Sequence, residues 1–141
     1  MKKKKAKEKI KARSVPFSQT RTRHASETAE DYVEAVLDLI DEKGECRVLD
    51  LARFFNVSHV TVSRTVKRLN DQDLLLTQPY KPIELTEKGY KLAKKSKKRH
   101  EIVLDFLIKL GVDKANAEID SEGIEHHVSS KTLDAMKRFL K

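Results

Sequence analysis

The sequence predicts a mainly α protein in which a winged helix-turn-helix is followed by a helical domain. Within residues 47–75, a short apolar helix pattern, a tight break at residues 56–58 and a second helix with a polar and basic outer face follow one another. This succession is the helix-turn-helix pattern. Two short apolar segments around a proline-containing turn then predict a β-hairpin, the wing. Helical patterns resume after it and continue to residue 140.

The first predicted helix begins near Glu27, where Ser26 can act as the N-cap. Gly44 is placed to end it, because glycine readily adopts the left-handed conformation that closes many helices. Between these two positions one apolar stripe at helical spacing is formed by Tyr32, Val33, Val36, Leu37 and Ile40.

The wing is predicted from two short strands, Leu74–Thr77 and Ile83–Leu85, around the turn at residues 78–82. Thr86 can cap a long helix that ends at Gly111. Two shorter helices are predicted after it, over Lys114–His127 and Ser130–Leu140. The domains predicted are a basic disordered tail over residues 1–26, a winged helix-turn-helix with its bridging first helix over 27–86, and a helical domain over 87–141.

Composition limits the class of protein. Of the 141 residues, 38% are hydrophobic and 37% are charged, and no apolar run is long enough to span a membrane. The lysine-rich N-terminus has no apolar core of a secretory signal. The single cysteine, Cys46, excludes an internal disulfide and fits a reducing compartment. We therefore expect a cytoplasmic protein with no membrane partner.

The net charge of +8 is concentrated at the N-terminus. Residues 1–26 contain ten Lys/Arg and one acid, Glu8, which gives this segment +9 and leaves −1 for the other 115 residues. The segment has no helical apolar periodicity, which predicts a disordered tail attracted to polyanions. Nucleic acid is the favoured partner, and a solubilising leader is the alternative.

The second helix of the helix-turn-helix has the composition of a DNA-recognition helix. Its apolar positions, Val62, Val66 and Leu69, face inward. Hydroxyl and guanidinium groups on the other face suit contacts with bases and phosphates in a major groove. Thr61 and Arg64 are predicted to reach base edges, and Ser63 and Lys67 to contact phosphate. The complete set of predicted DNA-binding residues is His59, Val60, Thr61, Ser63, Arg64, Lys67 and, at the wing tip, Lys81.

A carboxylate–histidine cluster lies in SEGIEHHVS, residues 121–129. Glu122, Glu125 and His126 are spaced i, i+3, i+4 and share one helix face, whereas His127 points elsewhere. Oxygen and nitrogen donors without thiolate suit manganese or ferrous iron better than structural zinc. The spacing alone fits either half of a divalent-metal site or a solvated acidic face with an incidental histidine pair.

Other candidate ligands are ambiguous by periodicity. His100 lies on an apolar stripe with Val103, Leu104 and Leu107, where a histidine is more often a core residue than a ligand. Asp31 and Glu34 lie opposite the apolar stripe of the first helix, together with Asp38 and Asp41, which predicts a solvent-exposed face.

Several motifs, in order, resemble the diphtheria-toxin-repressor family of metal-dependent repressors. They are AEDYVEAVLDLIDEKG, a winged helix-turn-helix ending in ELTEKG, RHEIVLDFLIKLGV and DSEGIEHHVS, and they cover about residues 27–141. The resemblance implies that the metal ligands are Asp31, Glu34, His100, Glu122, Glu125 and His126. The iron-responsive branch has a cysteine at the position of Glu122 and a methionine near Glu34, so the carboxylates here favour manganese.

The resemblance implies a homodimeric, manganese-responsive transcriptional regulator that binds double-stranded operator DNA and holds two manganese(II) ions per subunit. Its expected activity is repression of metal-uptake genes, and activation of an efflux gene is the alternative. A winged-helix repressor that senses a small organic ligand is the alternative, although 5 Phe, 3 Tyr and no Trp leave little for an apolar pocket. A metal hydrolase is a third class, but no nucleophile motif or phosphate-binding loop is evident, so no enzymatic activity is expected.

Overall fold

The computed structural model describes residues 2–141, with the side chains of all of them except residues 11, 13, 15 and 17–26. It is mainly helical, as the sequence predicts. The elements in chain order are α1 (Lys2–Lys43), α2 (Val48–Phe55), α3 (His59–Asp71), β1 (Leu75–Leu76), β2 (Glu84–Leu85), α4 (Glu87–Leu110), α5 (Lys114–Ile124), a 3-10 turn (Glu125–His127) and α6 (Ser130–Leu140). No helix among the described residues is long and apolar enough to cross a membrane.

The first helix differs from its prediction. It begins at Lys2 and not near Glu27, and it includes the segment predicted to be disordered. Lysine, alanine, arginine and glutamate have high helix propensity, and extending an existing helix needs no new nucleus. Side chains over residues 2–10 are exposed, and Pro16 inside the helix removes a backbone donor. Local propensity, and not burial, therefore supports the first turns.

The core of the N-terminal domain joins α1 to the helix-turn-helix. Val33 and Val36 of α1 are fully buried against Leu51 of α2 and against the inward face of α3. The Tyr32 and Phe55 rings stack with centroids 4.6 Å apart. The predicted inward positions of α3 are confirmed, since Val62, Val66 and Leu69 are all buried.

Local signals fix the ends of the helix-turn-helix and the wing. Asn56 ends α2 in the left-handed conformation, and the Ser58 hydroxyl accepts the Thr61 amide at 3.2 Å to begin α3. The wing strands are shorter than predicted, with Leu75 opposite Leu85 and Leu76 opposite Glu84.

Glycine at position 89 lets α4 pack closely under the wing. A Cβ on Gly89 would lie 2.0 Å from the carbonyl oxygen of Leu74. No other residue could occupy this place without moving the backbone.

The C-terminal domain is built on α4, which packs against α1, α5 and α6. Thr86 caps α4, and Gly111 ends it at φ 104°. Asp113 and Ser129 cap α5 and α6 through their side chains. The predicted helix over Lys114–His127 is too long, because α5 ends at Ile124 and the chain tightens into the 3-10 turn. That turn directs the next two side chains, Glu125 and His126, into the interior.

Candidate metal centre

Carboxylates and imidazoles from α1, α4, the end of α5 and the 3-10 turn meet between the two domains. His126 lies at the middle, with a side chain only 1% exposed. Its Nε2 is 3.0 Å from Oδ1 of Asp31 and 3.1 Å from Oε1 of Glu125. Neither approach has hydrogen-bond geometry, since Nε2 of His126 and both Glu125 carboxylate oxygens have no hydrogen-bond partner. Glu125 is itself 1% exposed.

Ligand atoms in this region form two groups that could each hold a metal ion. The first group is Glu27, Asp31 and His126, and the second is His100, Glu122 and Glu125. Within each group the atoms lie within 4.8 Å of one another. Five of the six ligands implied by the resemblance fall in these two groups.

The sixth implied ligand, Glu34, lies beside the second group. Burial, reinforced by the charges of Glu125 and Glu122, raises the pKa of Glu34 to about 7. Its Oε1 is buried without a hydrogen-bond partner. The pKa of Glu122 is also raised, first by burial and then by Glu125 and Asp31, although His100 opposes the shift.

His126 has the opposite perturbation. Burial lowers its pKa, but three nearby carboxylates outweigh burial and raise it to about 12. Those carboxylates belong to Asp31, Glu125 and Glu30. A proton on His126 therefore compensates part of the negative charge.

The donor set fits a divalent cation. Buried polar atoms without partners cost about 1–3 kcal/mol each, and most proteins leave few of them. Here they are concentrated at one place: Glu34 Oε1, His100 Nδ1, both Glu125 oxygens and His126 Nε2. Carboxylate oxygens and imidazole nitrogens, with no thiolate among them, are the donors that suit manganese or ferrous iron.

Periodicity alone misjudged the acidic face of α1. Asp31, Glu34 and Asp38 were expected to face solvent, yet all three are half-buried, and Asp41 alone is exposed. The three half-buried carboxylates line a cavity of about 290 Å³, together with Ala35, Phe54, Phe55 and Glu122. The docking of the C-terminal domain covers this face, and no local pattern records that docking.

Two residues of the centre were missed by the sequence analysis. Glu27 accepts from His127 Nε2 at 3.1 Å and belongs to the first group of ligand atoms. Glu30 contacts His126 and Arg99. The spacing of Glu27, Glu30 and Asp31 at i, i+3, i+4 was the available signal, since it puts all three on one side of α1.

The predicted DNA-binding face is open. The side chains at all seven positions are exposed: His59, Val60, Thr61, Ser63, Arg64, Lys67 and Lys81. The Thr61 hydroxyl lies 3.0 Å from the Ser58 hydroxyl within the cap of α3. Beside Lys81, the neighbouring wing residue Tyr80 is 99% exposed.

A winged helix-turn-helix joined to a helical domain, with a buried carboxylate–imidazole centre between them, defines a metal-dependent DNA-binding regulator. The family model for the iron dependent repressor N-terminal DNA binding domain matches residues 24–83. The model for the iron dependent repressor metal binding and dimerisation domain matches residues 86–141. The chain belongs to this family of repressors, and the resemblance found in the sequence is confirmed.

Curated relatives include the transcriptional regulator MntR of Escherichia coli O6:H1, which is 46% identical over 123 residues. The match covers 87% of this chain and 79% of that protein. The HTH-type transcriptional regulator MntR of Shouchella clausii is 41% identical over 105 residues, covering 74% of this chain and 73% of the relative.

Solved structures of similar fold include the manganese regulator SloR, with a TM-score of 0.70 at 28% identity. The metal-dependent transcriptional regulator MtsR has a TM-score of 0.72 at 26% identity. The matches cover 79% of this chain and 53% of each of those proteins, so the chain spans about half their length.

Proposed function

We propose that this protein is a homodimeric, manganese-responsive repressor that binds operator DNA when two manganese(II) ions occupy each subunit. The observation that carries the proposal is the set of unpaired buried donors shared between α1, α4 and the 3-10 turn. The proposed ligands are Asp31, Glu34, His100, Glu122, Glu125 and His126. Curated relatives named MntR at 41–46% identity support the assignment to manganese, DNA and repression.

The position of the ligands couples the centre to DNA binding. Asp31 and Glu34 lie on α1, whose apolar face forms the core of the helix-turn-helix domain. Glu122 lies near the end of α5, and Glu125 begins the 3-10 turn, both in the other domain. Four carboxylates crowded across this boundary repel one another, and bound divalent cations supply the charge that offsets them.

The chain's own residues then determine the response. When the repulsion between the carboxylates is offset, α1 and the end of α5 are held together. The two recognition helices of the dimer then stay at a constant distance from each other. Occupancy therefore shifts a population between loose and ordered domain arrangements without creating a new fold. His126 must release its proton before Nε2 can donate a lone pair, so binding is coupled to proton release.

A dimer matches the operators expected for this class, since two recognition helices read half-sites about one helical turn apart. The dimerisation domain leaves large apolar side chains exposed, among them Ile119 at 71% and Phe139 at 49%. We propose that the dimer acts in the cytoplasm.

The decisive experiment is selection of genomic DNA fragments by the full chain with manganese, iron or zinc, and with a chelator. Retention of a palindromic fragment with manganese, and its loss with chelator, is expected. Equal retention in both would contradict the proposal. Equilibrium dialysis tests the stoichiometry separately, and one manganese per subunit would overturn the two-ion assignment.

A further inference from the structure

The carboxylate of Glu30 joins three elements around His126. Glu30 lies on α1 and is 8% exposed. Its Oε2 is 2.5 Å from Nδ1 of His126 on the 3-10 turn and 2.6 Å from Nη2 of Arg99 on α4. On the opposite edge of the same imidazole, Nε2 faces Asp31 and Glu125.

This contact selects one form of the ring. A neutral imidazole carries its proton on one nitrogen and a lone pair on the other. A carboxylate accepts hydrogen bonds but cannot donate them. Among the described residues only Nδ1 has a hydrogen-bond partner, so in the neutral ring the proton is retained on Nδ1 and the lone pair is left on Nε2.

We infer that Glu30 is a positioning residue that fixes the orientation and tautomer of His126, so that Nε2 donates into the metal centre. The inference rests on the proposed function, because orientation matters only if His126 is a ligand. Outer partners of ligating histidines typically contribute 10–100-fold to metal affinity.

Arg99 gives Glu30 its rigidity. The side chains of Arg99 and Glu30 are 17% and 10% exposed, so solvent competes little for this pair. Although burial raises the pKa of Glu30, the hydrogen bonds from His126 and Arg99 lower it overall and keep the carboxylate charged. Arg99 directly precedes His100, so one turn of α4 carries the proposed ligand His100 and also the arginine that holds Glu30 against His126.

A second ion pair on the same two helices provides a matched control. Lys97 of α4 pairs with Asp38 of α1, with side chains 34% and 47% exposed. A general role in joining α1 to α4 would be shared by both pairs, whereas orientation of His126 belongs to Glu30 alone.

The test uses the full chain with ¹⁵N-labelled histidine, and zinc(II) as a diamagnetic probe for long-range ¹H–¹⁵N spectra. Manganese affinity is measured by calorimetry on the same variants. In the zinc-loaded wild type we expect His126 to carry its proton on Nδ1. Glu30→Ala should lose that hydrogen-bonded signature and bind manganese about 10–100-fold more weakly. Glu30→Gln keeps an acceptor oxygen and should retain the signature with a smaller loss of affinity.

The Lys97→Met control should keep the wild-type histidine spectrum and manganese affinity. If Glu30→Ala keeps both while His126→Ala abolishes manganese binding, the inference is overturned and the proposed function stands. If His126→Ala also binds manganese normally, the ligand assignment itself fails, and the inference with it. Should Glu30→Ala unfold, the spectrum of Glu30→Gln decides, and loss of the Nδ1 proton there would overturn the inference.

Discussion

Nδ1 of His100 on α4 lies 3.4 Å from Oε1 of Glu122 on α5, and no hydrogen bond satisfies this buried nitrogen. The relationship gives His100 a carboxylate neighbour although its sequence surroundings are apolar. It also makes the centre depend on how α4 and α5 pack.

Replacing His126 with alanine should abolish manganese-dependent DNA binding. Its loss removes a ligand, so manganese affinity should fall by more than the roughly 100-fold that outer partners cost. Calorimetry measures this, and circular dichroism checks that the variant folds. His127→Ala is the control and should cost much less, because His127 belongs to neither group of ligand atoms and only contacts one member, Glu27, at 3.1 Å. A normal manganese response in His126→Ala would disprove the site.

Zinc should bind the wild-type protein yet activate it less than manganese does. Zinc binds these donor types more tightly by the Irving–Williams order, but about four ligands satisfy it. Manganese accepts six, so it can engage carboxylates from both α1 and α5. The measurement is operator affinity at saturating levels of each metal, and equal activation would refute the geometric account.

Replacing Glu122 with cysteine should extend the response toward iron. The substitution exchanges a hard oxygen donor for a softer thiolate at a position that is 61% exposed on its side chain. Operator binding with ferrous iron under anaerobic conditions measures the change. Glu122→Gln is the matched variant, since it removes the charge without adding sulfur, and an equal gain there would contradict the donor argument.

Stability of the metal-free protein should fall as pH rises from about 4.5 to 7, in part through Glu34. The pKa of Glu34 is about 7 in the folded chain against an ordinary value of 4.5, so the folded state binds the proton more tightly. Charging Glu34 therefore costs stability across this window, and the cost is complete above it.

Thermal unfolding with a chelator, from pH 4.5 to 8, tests this. The melting temperature of Glu34→Gln should fall less than that of the wild type as pH rises. The difference between the two melting temperatures should therefore grow with pH in favour of Glu34→Gln. Manganese affinity of the wild type should increase over the same window because the ion displaces the proton. If the melting temperatures of the two proteins change with pH in the same way, Glu34 does not titrate in this range.

Lys67→Ala should weaken binding to all DNA sequences about equally. Lys67 is exposed on α3, about one turn beyond Arg64, and we expect its cation to contact phosphate and not bases. The slope of log affinity against log salt should fall by roughly one. Arg64→Ala provides the contrast, because loss of a base contact should relax specificity at one position. A sequence-selective loss in Lys67→Ala would contradict the assignment.

Deleting residues 1–24 should lower non-specific DNA affinity and its salt dependence while leaving the manganese response unchanged. The segment up to residue 26 carries a charge of +9, and its described side chains over residues 2–10 are exposed. Competition with random-sequence DNA at several salt concentrations measures the effect. An unchanged salt slope would mean that this segment does not contact DNA.

Local chemistry made most of the fold predictable. Val62, Val66 and Leu69 identify the inner face of α3, and Ser58, Thr86 and Gly111 mark helix ends, because these signals act over a few residues. The predicted start of α1 near Glu27 was wrong for a related reason. Ser26 is a plausible cap, but the chain before it is also helical, and a capping signal does not oppose propagation from an existing helix.

The sequence by itself determined the winged helix and the two-domain order, and its ordered motifs predicted the ligands proposed for the centre. Only the tertiary structure decided which face of α1 is covered. Amphipathic periodicity assigned Asp31 and Glu34 to solvent, since it records one helix and not the domain that docks on it. The partnership of Glu30 with His126 joins residues 96 positions apart. Such a contact depends on how α1, α4 and the 3-10 turn pack, and no spacing within any one of them encodes it.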